Sequence, residues 1–197
     1  MALFSRRETP PEYANYQAYK PHLRRDFLAR CAYCERTEAY LGGEEAFEVE
    51  HFKPRSKFWD LICAYDNLYY VCRKCNGHKS ETWPSEAHLA RGQYFADPCV
   101  EDPYIQHLHE RDDGGLDEIT ECGVYSNRHI RLDRNELQRW RRLRAEARMD
   151  LPRLSGVAHL LEQILAVTDG TKRQEIEEQL AAVNRRIEEP KLRFSIG

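Results

Sequence analysis

Two Cys-x-x-Cys pairs, Cys31/Cys34 and Cys72/Cys75, constrain this 197-residue chain more than any other feature. A two-residue gap lets both thiolates of a pair reach the same ion, so the four sulfurs can hold one Zn²⁺ tetrahedrally. Between Cys34 and Cys72 lie 37 residues, beyond the ~15–20 of a simple zinc ribbon. The spacing therefore predicts that zinc clamps the base of an inserted unit. Four thiolates leave no open position for a substrate, which makes this ion structural. Coincidence or a redox motif is the competing explanation, and two pairs flanking one short segment argue against it. Cys63, Cys99 and Cys122 stand alone and read as small buried hydrophobes.

Seven cysteines without an export signal point to a reducing compartment. The N-terminal stretch MALFSRRETPPEYANY has no apolar core of a signal peptide, and no apolar run approaches the ~20 residues of a membrane span. The expectation is a cytoplasmic protein with no membrane association.

Within the insert, FEVEH (47–51) alternates as a short strand, and LYYV (68–71) is a second β-prone run arriving at Cys72. CNGHKS then has turn character and can open a helix. A hairpin followed by a helix would bring Glu50 and His51, at the end of the first strand, to Asn76, one residue past the zinc knot. Phosphodiester hydrolysis needs a base for water and a divalent cation to neutralise charge on the phosphate and leaving oxygen. A histidine with an ordinary pKa of about 6.5 is largely neutral near pH 7 and can take that proton. A carboxylate and an amide oxygen suit Mg²⁺ or Mn²⁺. His51 alone would more often be a satisfied structural histidine; its place after Glu50 in a clamped insert favours catalysis.

Net charge is −3, which does not announce a nucleic-acid binder. Locally, however, Arg55, Lys57, Arg73 and Lys79 border the expected groove and are candidates for phosphate contact; solvated surface charge is the bland alternative. A further basic run, RWRRLRAEAR, spans Arg139 to Arg148.

These motifs, CAYCE (31–35), VEHFKPRS (49–56), DNL (66–68) and CRKCNGHKS (72–80), taken in order, resemble the HNH endonuclease family. The resemblance implies an α+β fold with a zinc-stabilised ββα-metal nuclease core acting on DNA. It makes His51 the general base, gives Glu50 and Asn76 the catalytic cation, and matches Asn67 to the residue that orients the imidazole. Lys79 matches a lysine usual after the third motif. Asn76 stands where the lettered pattern has histidine, and His78, two residues on, is an alternative ligand. From FADPCVEDPYIQHL to RLDRNELQRWRRLRAE the chain also looks like HNH proteins of bacterial anti-phage systems, of Septu type and retron-linked. Those nucleases work beside an ABC/SMC-like ATPase. A non-catalytic zinc adaptor for nucleic acid or a partner protein is the competing reading. A nuclease silent until switched on in a complex through its C-terminal helices is a third.

Elsewhere, residues 17–30 read as a short helix and 105–132 as short strands or a hairpin. Asp133 with Glu136 forms a capping box before Leu137, Trp140 and Leu143, with Trp140 in the core. Val157, Leu160, Leu161, Ile164 and Leu165 keep helical spacing up to a stop at Gly170. Thr171 with Gln174 caps a final helix that Pro190 ends. His107, His109 and His129 are scattered and read as surface or core residues. The division expected is a nuclease core with its lead-in at 1–95, and a hairpin and helical extension at 96–197 for packing or docking.

Overall fold

In the computed structural model, which describes residues 1–196, the expected first helix is cut short. A 3-10 turn (Tyr16–Tyr19) leads into α1 (Lys20–Asp26). Leu28 and Ala29 then adopt left-handed backbone, φ 54° each, which turns the chain into Cys31. A short α2 (Glu38–Leu41) follows, its first turn capped by the Thr37 hydroxyl, which accepts the Tyr40 N–H. Strands β1 (Phe47–His51) and β2 (Leu68–Cys72) pair antiparallel, in register from Phe47 opposite Cys72 to His51 opposite Leu68. Directly after β2, α3 (Arg73–Lys79) completes a ββα unit. The fold is α+β with a four-cysteine cluster at its ββα unit, as the resemblance implied.

Aromatic residues fill the space behind the hairpin. Phe47 stacks on Tyr70 at 4.7 Å, and Tyr69 meets Phe52 and Phe27 at 5.0 and 5.4 Å. Three buried tyrosines have their hydroxyls satisfied by carboxylates: Tyr65 donates to Asp26, Tyr69 to Asp97 and Tyr70 to Glu38, all at 2.6 Å. Two of these carboxylates also meet an arginine, Arg7 on Asp26 and Arg24 on Glu38.

After α3 come α4 (Glu86–Leu89), α5 (Pro103–Gln106) and a three-residue hairpin of β3 (Leu108–Glu110) and β4 (Leu116–Glu118). The hairpin expectation for 105–132 holds only for its first half. Residues Glu121–Ile130 form α6, because the Thr120 side chain caps it by accepting the Gly123 N–H. Phe95, Leu108, Leu116, Tyr125, Ile130 and Leu137 join the same buried cluster as Phe27 and Tyr69. The first compact unit accordingly runs Met1–Trp140, past the boundary expected at 95/96.

The second unit is Arg141–Gly197. Its helices are α7 (Asn135–Ala166), which starts inside the first unit, and α8 (Thr171–Phe194). Pro190 does not end α8: the helix continues one further turn with a single donor missing. Nor does Thr171 cap it; Gly170 occupies the N-cap at φ 70° without a side-chain bond. Asp133 lies before α7, its carboxylate accepting the Leu116 N–H at 2.9 Å. Of the expected apolar stripe, Val157, Leu160 and Ile164 face outward and Leu161 and Leu165 are half-buried; Val167, beyond the helix, is also exposed. The buried residues of this unit include Leu151, Ala158, Ile187 and Phe194. Cys122 is buried as expected, but Cys63 and Cys99 are only half-buried. Among the described residues no helix is long and apolar enough to cross a membrane.

One glycine is required by close approach. A Cβ on Gly123 would sit 2.1 Å from the His107 carbonyl oxygen, a backbone atom that cannot swing aside. Gly123→Ala should therefore destabilise the protein by roughly 1–3 kcal/mol despite alanine's better helix propensity. Urea unfolding of the two proteins measures the difference, and equal midpoints would refute the tight packing of α6.

Candidate functional site

The four paired cysteines come together. Cys31 and Cys34 sit on a knuckle in which the Glu35 N–H donates to the Cys31 carbonyl at 2.9 Å and Glu35 is left-handed, φ 59°. Cys72 ends β2 and Cys75 lies in the first turn of α3. All four are buried, with their sulfurs within 4.8 Å of one another and Cys34 to Cys72 at 3.9 Å. Tetrahedral Zn–S bonds of about 2.3 Å place sulfurs about 3.8 Å apart, so the cluster fits a structural Zn²⁺. Four thiolates around one divalent ion leave two surplus negative charges, and two arginines meet them. Arg36 donates to the Cys72 sulfur at 3.9 Å, and Arg134 to the Cys75 sulfur at 3.3 Å. Neither arginine was evident from the sequence, because cation-to-thiolate contacts obey no fixed spacing.

A cleft of about 430 Å³ opens beside the hairpin. Glu48, Glu50, His51, Arg55, Arg73, Asn76 and Ser80 line it, so the expected trio of Glu50, His51 and Asn76 shares one cavity. Asn76 lies on α3, and Ser80 follows as its C-cap, its N–H donating to the Asn76 carbonyl at 2.8 Å. His51 is mostly buried, with Tyr16 edge-on to its ring at 4.7 Å. Its Nε2 lies 3.0 Å from the Ile62 carbonyl oxygen. A carbonyl only accepts, so in the neutral imidazole the hydrogen is on Nε2 and the basic lone pair is on Nδ1. Burial, followed by the charges of Arg55 and Lys79, holds His51 below its ordinary pKa against the opposing pull of Ile62 and Glu81.

The loop supplying that carbonyl is fastened by Asn67. Its Oδ1 accepts the Lys53 N–H at 2.8 Å, and its Nδ2 donates to the carbonyls of Lys53 and Leu61 at 3.0 and 3.3 Å. Asn67 does not itself line the cleft.

Lys79 departs from expectation. Anticipated at a phosphate, it is fully buried, with its ammonium 2.6 Å from Glu50 Oε1 and 3.1 Å from the His51 carbonyl. Helical spacing explains this: Cys75 and Lys79 are i, i+4 neighbours, so the face that carries the knot also carries the lysine inward. Burial pushes Glu50 up to about 7 even though Lys79 pulls it down. Asn76 donates through Nδ2 to Glu48 Oε2 at 2.7 Å, which leaves its Oδ1 for another partner. Arg73 reaches the same Glu48 at 3.4 Å. Glu48 was overlooked, although alternation along a strand puts it on the face of Glu50. Arg55 and Lys57 are exposed, and Lys57 is not among the lining residues. His78 lies in a different depression with Arg131 and Arg134, away from the cleft.

Residues 31–82 match the HNH endonuclease family. The matched span begins at Cys31, contains both strands and all of α3, and so coincides with the clamped unit. The chain is also 30% identical over 89 residues to the Septu protein PtuB of Bacillus thuringiensis, covering 43% of this chain and 31% of that relative. It thus spans less than a third of the length of the curated relative it matches. No solved structure matches the chain.

Two outcomes follow for stability. Cys72→Ser should release zinc and lose the hairpin, measured by metal content and circular dichroism. Lys79→Met should cost about 3 kcal/mol by leaving Glu50 buried without its partner. That cost should shrink as pH falls and Glu50 takes a proton, which denaturant unfolding at several pH values would test.

Proposed function

We propose that this protein is a metal-dependent endonuclease that hydrolyses DNA phosphodiester bonds. The observation that carries the reading is the His51 ring: its Nε2 is committed to the Ile62 carbonyl and its Nδ1 is basic, in the cleft that Glu50 and Asn76 share. His51 takes the proton of the attacking water, and a pKa below the ordinary value keeps it neutral for that task. Asn67 is a positioning residue that fixes the 53–62 loop and so the direction of the imidazole. Glu50 and Asn76 offer hard oxygen donors for Mg²⁺ or Mn²⁺, with Glu48 beside them. When bound there, the cation supplies positive charge to the phosphate and the leaving oxygen. Arg55 and Arg73 at the cleft, with Lys57 nearby, hold flanking phosphates.

The PtuB likeness supports a setting in anti-phage defence; the ABC/SMC-like ATPase partner and the cytoplasmic location are part of the proposal. In this reading the outward row Val157, Leu160 and Ile164 on α7, with Val167 just past its end, belongs to the docking surface.

Purified protein with Mg²⁺ or Mn²⁺ should nick plasmid DNA, and His51→Ala should abolish nicking while keeping the zinc content of the parent. Equal cutting by both proteins would remove His51 as the base. The competing adaptor reading requires no second divalent site. Mn²⁺ titration followed by electron paramagnetic resonance should show a site that Glu50→Gln eliminates, and its absence would favour the adaptor.

A further inference from the structure

Outside the cleft and the thiolate knot, one more group of metal-binding side chains converges. Glu101, His107 and Cys122 offer a carboxylate oxygen, an imidazole nitrogen and a sulfur, all within 4.8 Å of one another. His107 and Cys122 are 8% and 2% exposed. The three arrive from separate segments. Glu101 closes the turn whose N–H groups at Val100 and Glu101 donate to the Asp97 carbonyl. His107 is the C-cap of α5, and Cys122 lies in the first turn of α6.

The surroundings fix the ring in the way metal sites do. His107 Nδ1 is 2.8 Å from the Thr120 hydroxyl, and Nε2 is 2.9 Å from Glu101 Oε2. A metal-bound histidine donates its outer ring N–H to an oxygen acceptor, and the Thr120 hydroxyl can take that part at Nδ1, leaving Nε2 to face Glu101. Thr120 is itself held in place, since its oxygen also accepts the Gly123 N–H. The Gly123 backbone lies so close to the His107 carbonyl that no Cβ fits between them, and this brings Cys122 against the ring. Zn–N and Zn–O bonds near 2.0 Å and a Zn–S bond near 2.3 Å require donor separations of about 3.3–3.5 Å. The present spacing needs to open by only a few tenths of an ångström between nitrogen and oxygen.

We infer that Glu101, His107 and Cys122 form a second zinc site, distinct from the four-cysteine knot and from the cleft. One thiolate, one imidazole and one carboxylate make a borderline donor set that suits Zn²⁺ rather than Mg²⁺ or Ca²⁺. With three protein donors, water completes the tetrahedron. Its role is a staple. The only sheet in the described residues from 97 to 130 is a hairpin of two three-residue strands, and this ion would join the opening turn, the end of α5 and the start of α6. Because α6 packs on α3, the staple would also stiffen the support behind Asn76 and Lys79. No regular spacing announces the trio, and singly each residue reads as ordinary core.

The test is the zinc content of the full chain purified without chelators, by inductively coupled plasma mass spectrometry. The parent should carry about two zinc ions per chain, and Cys122→Ala and His107→Ala about one, with the cobalt-exchanged parent losing one class of absorption bands in both. Glu50→Gln should keep the parental content, which separates this site from the cleft. One zinc per parental chain overturns the inference. So does a second zinc that leaves with Glu50→Gln and stays in Cys122→Ala. Should either alanine variant fold poorly, the parental stoichiometry and the Glu50→Gln result decide by themselves.

Discussion

Everything in the first unit depends on holding four thiolates together in a buried place. Their mutual repulsion is large in a low dielectric, and a divalent ion removes only half of the charge. Arg36 and Arg134 meet the remainder. Arg36 comes from the loop that follows the first cysteine pair, Arg134 from the residue just before α7. The charge balance of the knot thus ties three distant stretches of chain to one point. This explains how so short a hairpin, five residues a strand, holds a defined register.

From that point the geometry of the cleft follows by covalent connection. Cys72 ends β2 and Cys75 begins α3, so the helix leaves the knot in a fixed direction. The β1–β2 register then sets Glu50 opposite Tyr69 and His51 opposite Leu68. Alternation sends Glu48 and Glu50 toward α3, while His51 turns to the loop carbonyl at Ile62. Glu50 and His51 both border the cleft, yet Glu50 bonds Lys79 on α3 while His51, the last residue of the strand, bonds the loop carbonyl.

The sequence was legible where chemistry imposes spacing. Paired cysteines, the alternating FEVEH and the β-prone LYYV revealed the knot, both strands and the shared groove. It was less legible where contacts are long-range. Nothing local tells that Lys79 turns inward or that Glu48 takes the Asn76 amide. Helix ends also misled: Pro190 and Thr171 carry stop and cap chemistry, yet α8 begins at one and runs through the other. For 121–130, Cys122–Gly123 looked like punctuation, whereas the glycine is there for close packing against His107. The outward row on α7 keeps perfect helical period, since periodicity reports a face and not what covers it.

The buried Lys79 has a wider consequence. Its ammonium is a resident counter-ion for Glu50, in place as soon as α3 packs on the hairpin. Folding then has no need to wait for a second divalent ion. Any cation drawn to Glu50 would have to share that carboxylate with a buried lysine already bonded to it at 2.6 Å.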